Sequence, residues 1–487
     1  MIDKEGIIIK KNNAQAAFIY TPIQYKTECV QTLSATTQMN SSPDISVSVV
    51  FMGLDEKRPD MAEPTAGMNK HIVISHLKKK QKGCLSGDFL VGILVTGVGE
   101  ILVSGIELKI NGRFFEDSAS PSNSMTSKDL AFLRDKIVTF DNLSSSDIWF
   151  EDAQIIGLGE NSHGAKNLFE MKTEIIKHLI EKAKVTQVSL EMPAITALAV
   201  NDYIQGNSDD KQKTLLALNY PSWQTQSMLK LLDWLKAYNL SNANEIVFSG
   251  FDVQQPQLTL SVLKSRFLKD QDMRGLEYLE KLAAIMSDSN PNVEAFTQGI
   301  EQLKQHLIEH KHELSRFADV LKQGAIVQNP GLGSGDRSKF MAEQVMMLAQ
   351  ERKTVIWADN THISKKPSAM GAWIDSSLGD QYIALGLSFD TGTYSAYGPE
   401  NPYPVHPSFS GSHEDILKSA ASEPFLIRLS DLPDHHPLLE QREFRFIGSQ
   451  PQTYSQFYPH VLKEHFNIIG FTHNTSHTEF LIEHDFQ

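Results

Sequence analysis

From residue 153 onward, short apolar runs alternate with segments whose apolar residues recur every three or four positions, and this alternation restricts the chain to a layered α/β fold with a mostly parallel sheet. Five runs are strand candidates: 153–159, 186–191, 245–251, 353–359 and 381–389. Each is short and apolar on both alternating faces, as strands covered by helices on both sides tend to be. Between them, 168–181, 195–204 and 225–238 carry the helical spacing of amphipathic helices. The region 265–327 is rich in Glu, Gln, Lys, Leu and His and has no strand signal, so it reads as a helical pair inserted between two strands, where it could cover a site.

A chain of 487 residues is too long for one ordinary core; at roughly 100–200 residues per domain it should hold two to four units. The stretch 117–127 is dominated by Ser, Pro and Asn, which bury little apolar surface and suit a flexible connection. Upstream of it, the runs 45–51, 71–75, 89–96 and 101–110 alternate with turn residues without helical period, as in a β-sandwich or jelly roll. The expected organisation is therefore a β-sandwich-like accessory domain over 1–116, a linker over 117–127, and an α/β catalytic domain over 128–487 with the helical insertion at about 265–327. The apolar stretch 89–106 is long enough to raise a membrane span. Its glycines, its β-branched residues and Glu100 point instead to two strands joined at 97–100.

Charge and cysteine content narrow the partners. A net charge of -14 and a pI near 5.7 lack the basic footprint of a nucleic-acid binder. Two cysteines, Cys29 and Cys84, cannot make a disulfide framework, and no signal-peptide pattern follows Met1. The expectation is a cytoplasmic protein that meets a small molecule rather than a nucleic acid or a membrane, with its oligomeric state left open.

In open parallel sheets, ligands bind outside the carboxyl ends of the strands. The residues at those ends here are Glu160 and His163, Glu191, Asp252, and Asp359 and His362. One such residue alone is an ordinary helix cap or loop residue. Several converging on one edge would be costly to bury without a compensating role. Their chemistry is general acid–base catalysis, with an imidazole taking a proton from water beside an orienting carboxylate. No G-x-S-x-G nucleophile elbow occurs, and Ser162 is a nucleophile candidate only by proximity.

The run Gly157-Leu158-Gly159-Glu160-Asn161-Ser162-His163-Gly164, with Phe169-Glu170-Met171-Lys172, Leu190-Glu191, Asn201-Asp202-Tyr203, Trp223-Gln224-Thr225, Trp234 to Asn239 and Gly250-Phe251-Asp252, resembles the erythromycin esterase family in order and spacing. Arg337, Met341-Ala342-Glu343, Trp357 to His362, Met370-Gly371, Gly379-Asp380 and Arg445-Phe446-Ile447-Gly448 continue the resemblance, which spans roughly 130–480. It implies hydrolysis of a macrolide lactone or related ester by water that a histidine activates, without an acyl-enzyme. By that analogy His163 is the base and Glu160 and Glu191 shape its protonation. His362 and Asp359 contact water or substrate, and Lys172, Asp252, Arg337 and Trp223 support the site. Some members are named for succinoglycan biosynthesis. The chain departs from a Trp-Ala-His-Asn-x-His pattern by carrying Asp359 at the first histidine, and it has Lys172 where some macrolide enzymes have Arg. The added acid implies raised carboxylate pKa values and a more readily protonated His163.

Other readings come from single features. His306-Leu307-Ile308-Glu309-His310 matches H-x-x-E-H, a zinc-peptidase pattern, though its Gln- and Lys-rich surroundings suit a solvated helix face. No cofactor is expected, although the acids and imidazoles of the main site would also suit a divalent ion. A binding module made catalytically degenerate by Asp359 is the non-enzyme alternative. The Gly-rich run 331–335 lacks the lysine of a phosphate-binding loop and reads as a flexible lead-in to an Arg337 helix.

Overall fold

The computed structural model describes residues 7–11, 17–30, 33–41, 45–53, 60–61, 70–75, 85–110, 113–114 and 125–481, the last without 244, 398–400, 407, 409–410 and 452–455. Two compact units divide the chain: Met1–Ser124 with Arg442–Phe444 and Gln452–Pro459, and the remainder from Met125 onward. Of the expected linker, 117–124 lie outside the described residues, as does Cys84. Its last residues belong to a helix start: Thr126 caps the helix Ser127–Lys136 in a reciprocal capping box with Asp129.

In the first unit the described segments pair as antiparallel strands. Ile7–Lys11, Gly99–Ile110, Leu33–Ser41 and Lys70–Ser75 lie side by side in one sheet, and Ala17–Val30, Leu85–Gly97, Ile45–Gly53 and Asp60–Met61 in another. The apolar stretch 89–106 is thus two strands separated at Val98, each in a different sheet. Among the described residues no helix is long and apolar enough to cross a membrane.

The second unit is an α/β fold built on β1 (Val138–Thr139), β2 (Ile155–Leu158), β3 (Gln187–Pro193), β4 (Val247–Asp252), β5 (Thr354–Trp357), β6 (Tyr382–Tyr394), β7 (Phe425–Arg428) and β8 (Ile468–Thr475). They lie in the order β1-β7-β8-β6-β2-β5-β3-β4. The run from β8 to β4 is parallel, and β7 and β1 are antiparallel at the edge. All five expected strands are present. Their faces are buried on both sides by helices, so Ile156, Leu158, Val188, Leu190, Val355, Trp357, Leu385 and Leu387 form one core with Leu168, Phe169, Ile176 and Leu179 of the helix Lys166–Lys182.

The insertion is larger than the expected pair. Four helices, Pro256–Lys269, Met273–Ser287, Val293–His310 and Arg316–Gln328, pack a core of their own around Phe267, Leu282, Leu303 and Phe317. His306 belongs to that core. It is 7% exposed, its Nε2 sits 2.7 Å from Oδ2 of Asp272, which caps the second helix, and its ring lies edge-on to Phe267 and Tyr278. His310 points largely to solvent beside Glu309. The zinc-like pattern is therefore a packing histidine joined to a helix cap. His306→Ala should cost about 1–3 kcal/mol in urea unfolding, the usual range for an orphaned buried hydrogen-bonding partner. Metal content measured by plasma emission should not change.

Candidate functional site

The adjacent strands β4, β3, β5 and β2 end at one edge of the sheet, and each delivers charged groups there. β2 runs into the loop 159–164, whose tight course depends on missing side chains. A Cβ on Gly159 would lie 2.1 Å from Asn360 Oδ1, and one on Gly164 would lie 1.9 Å from the Ser395 carbonyl oxygen. The loop places Glu160 under the sheet edge, fully buried, and His163 above it with 18% of its side chain exposed.

Glu160 is the centre of one cluster. Its Oε1 accepts from His163 Nδ1 at 2.6 Å, while its Oε2 accepts from Trp357 Nε1 at 3.0 Å and from Lys172 Nζ. Lys172 lies on the buried stripe of the Lys166–Lys182 helix, with Nζ 4.2 Å from the centre of the Trp357 ring. Burial alone would push Glu160 up, but Lys172 and His163 outweigh it and hold the carboxyl below its ordinary range. Burial brings Lys172 down to about 8 against the opposing pull of Glu160. For His163 burial favours the neutral ring, yet the bond and charge of Glu160, with Asp359 and Glu191 behind it, raise it to about 9.

Arg337 organises the second cluster. It grips Asp252 with Nε at 2.9 Å and Nη2 at 3.0 Å, and Nη2 also donates to Glu191 Oε1 at 2.8 Å. His362 Nε2 lies 3.2 Å from Glu191 Oε1 and 3.2 Å from Arg337 Nη1. Glu191 Oε2 accepts from the Asp359 backbone N–H at 3.3 Å. Burial acts to raise Glu191, but His362 and Arg337 drive it well below the usual carboxylate range. Burial acts to lower His362, and Glu191 lifts it above its ordinary value.

Asp359 is both a cap and a site residue. Oδ1 accepts from Thr361 N at 2.7 Å and Thr361 Oγ1 at 2.8 Å, which opens the short helix Asn360–Ile363 bearing His362. Oδ2 is buried without a protein partner. Burial raises this carboxyl against the opposing charges of His163 and His362. Asp359 is raised by its own burial, and the expectation that its charge raises the neighbouring carboxylates fails for Glu160 and Glu191, because each of those has its own cation in contact.

Trp223 flanks His163. Its ring meets the His163 ring at 6.3 Å between centres, and its Nε1 donates to the Glu191 carbonyl at 3.1 Å. Ser162 is fully buried and its Oγ accepts from Gly164 N at 3.3 Å, so it closes the turn instead of facing the cleft. The glycine run precedes the helix Arg337–Leu348 and packs at Gly335 against Phe340. All the residues expected at the sheet edge thus gather in two touching clusters. Among the described residues, no three His, Cys, Asp or Glu side chains are arranged to hold a metal ion. The sequence reading missed Asn161, Ser388 and Glu414, fully buried behind the His163 loop, and the half-buried Tyr220 and Tyr397 near the acids.

The sequence model of the erythromycin esterase family matches residues 180–475. The match includes Glu191, Asp252, Arg337, Asp359 and His362, and Glu160, His163 and Lys172 come just before it. An Escherichia coli protein, erythromycin esterase type II, is 22% identical over 306 residues, covering 51% of this chain and 72% of the relative. The crystal structure of a succinoglycan biosynthesis protein has a TM-score of 0.63 at 22% identity and covers 73% of this chain and all of its own. A mutant of the erythromycin esterase EreC in its open conformation gives 0.51 at 18% identity, covering 72% of this chain and 98% of its own.

Histidine NMR should find the His163 ring titrating with a midpoint of about 9. In Asp359→Asn, which can keep the Thr361 bonds and removes a charge that favours the imidazolium, the midpoint should move to lower pH. A midpoint unmoved by this substitution would sink the account of Asp359 as a charge acting on His163.

Proposed function

Because the chain belongs to the erythromycin esterase family, we propose that its sheet-edge site hydrolyses a carboxylic ester or lactone by direct addition of water, with His163 as base and no covalent acyl-enzyme. The observation that carries this is the Glu160–His163 contact at 2.6 Å. With Nδ1–H donated to a buried, cation-paired carboxylate, Nε2 is the ring nitrogen left to take a proton, and His163 is partly exposed. Glu160 then stabilises the imidazolium that forms. Water adds to the carbonyl carbon as Nε2 accepts its proton, and the same proton passes to the departing alkoxide when the tetrahedral intermediate collapses. Arg337 and His362 are each 22% exposed beside Glu191, and we assign to these two cations the stabilisation of the oxygen that gains charge.

A base raised to about 9 is mostly protonated at neutral pH; roughly one ring in a hundred is neutral at pH 7. The neutral form is the active one, so kcat/KM should rise about tenfold per pH unit up to a limb near 9. A macrolide lactone is the first substrate to test, because the Escherichia coli relative is named an erythromycin esterase. We extend the proposal to a cytoplasmic enzyme acting on small molecules, needing no cofactor and binding neither nucleic acid nor membrane. We also read the amino-terminal strands as a sandwich-like accessory domain over about 1–116, joined by a linker at 117–127 to the catalytic part at 128–487.

The test is a panel of esters and macrolides in water enriched in oxygen-18, read by mass spectrometry. The acid product should carry one solvent oxygen, acid-quenched enzyme should show no acyl adduct, and His163→Ala should lose about 10²–10⁴ in kcat. Folded wild type that turns over no ester would move the site to ligand binding, and an acyl adduct would refute direct attack by water.

A further inference from the structure

Behind the His163 loop lies a second group of fully buried polar side chains that the proposed chemistry does not use: Asn161, Ser388 and Glu414. Asn161 Nδ2 donates to Ser388 Oγ at 2.8 Å, and Ser388 Oγ donates to Glu414 Oε1 at 2.6 Å. The same Glu414 oxygen accepts from the backbone N–H of Arg445 at 2.9 Å. Two residues beyond Arg445, the chain returns to the loop. Ile447 N and Gly448 N donate to the Asn161 carbonyl at 2.8 and 3.1 Å, and the Gly448 carbonyl accepts from His163 N at 3.4 Å. One carboxyl oxygen therefore ties down the loop by two routes, through Ser388 to the Asn161 side chain and through the 445–448 segment to the Asn161 and His163 backbones.

We propose that Glu414 is a positioning residue for His163, clamping the 160–164 loop through the Asn161–Ser388 relay and the 445–448 segment. This rests on His163 acting as the base. Only Oε1 serves the clamp, since Oε2 has no protein partner. Burial pushes this carboxyl up against the opposing charge of Arg445, and both of its clamp contacts ask only for an acceptor oxygen. A glutamine supplies the same acceptor, whereas a methionine fills similar volume without one. The clamp matters because His163 is held to Glu160 by a single contact, and a base displaced by about 1 Å loses up to 100-fold in rate.

The experiment compares Glu414→Met, Glu414→Gln and Ser388→Ala by ester kinetics and by NMR titration of the His163 ring. Glu414→Met and Ser388→Ala should lower kcat at least about tenfold with KM held within about twofold. Their His163 midpoint should fall from about 9 toward the ordinary histidine range as the Glu160 contact loosens. Glu414→Gln should retain the wild-type kcat and midpoint. A folded Glu414→Met with wild-type kcat and midpoint overturns the proposal, and so does a Glu414→Gln as impaired as the methionine variant, because the role would then be one of charge. Where Glu414→Met does not fold, Ser388→Ala decides by the same two readouts. If wild type turns over no ester, the functional reading fails, and the titration alone still decides the clamp.

Discussion

The site depends on the burial of one carboxylate. Glu160 has no exposed surface, and an unpaired charge there would be costly enough to be neutralised or to unfold the loop. The chain meets that constraint with three donors from three elements: Lys172 on the helix Lys166–Lys182, Trp357 at the end of β5, and His163 on Glu160's own loop. Lys172 must itself be buried to reach Glu160, and it lies over the Trp357 ring, which in turn meets Phe169 and Trp223. A polar requirement at one atom thus fixes an aromatic wall, and that wall supports the exposed imidazole.

The second cluster follows the same rule with different parts. Arg337 arrives from a helix that follows the insertion and binds acids from β3 and β4 at once. Its planar guanidinium can satisfy both because its donors lie in a fixed fork, which a lysine would not reproduce. Glu191 touches His362, and its charge also acts on His163 in the first cluster, so the two clusters share charge across the edge. The insertion packs around an apolar core that also takes in Ala194, Ile195 and Val253 at the ends of β3 and β4.

Much of this was legible in the sequence because burial leaves periodic marks. The strands β2 to β6 were readable as continuous apolar runs, and their ends pointed to the acids and imidazoles. β7 and β8 were not, since the short run Phe425–Arg428 ends in a charged residue and Ile468–Thr475 turns polar in its second half. Lys172 was named only through the family resemblance, although its apolar-stripe place between Leu168, Phe169 and Ile175, Ile176, where a solvated lysine would not go, marks it as well. The Asn161–Ser388–Glu414 relay left no such mark. Its members are 227 and 26 residues apart in steps along the chain, and buried polar pairs at that separation have no local period. The helical insertion was legible in kind and not in number, because amphipathic spacing does not count turns between helices.

Asp359 decides how the site is poised. The acids Glu160, Glu191, Asp252 and Asp359 stand against Lys172, Arg337, His163 and His362, so the fully ionised edge is neutral with both histidines protonated. A neutral imidazole in place of Asp359 would leave one acid fewer and a His163 that is less readily protonated, because Asp359 is one of the three acids whose charge raises it. The free site is therefore set toward the acid form of its base. An apolar ester closing over His163 would strip water from the imidazolium and favour the neutral ring, since desolvation penalises the charged form. A small hydrated ester would leave that water in place. With His163 as the proposed base, Asp359 would couple the strength of that base to how completely a substrate covers it, a form of selectivity that needs no direct contact between Asp359 and the ester.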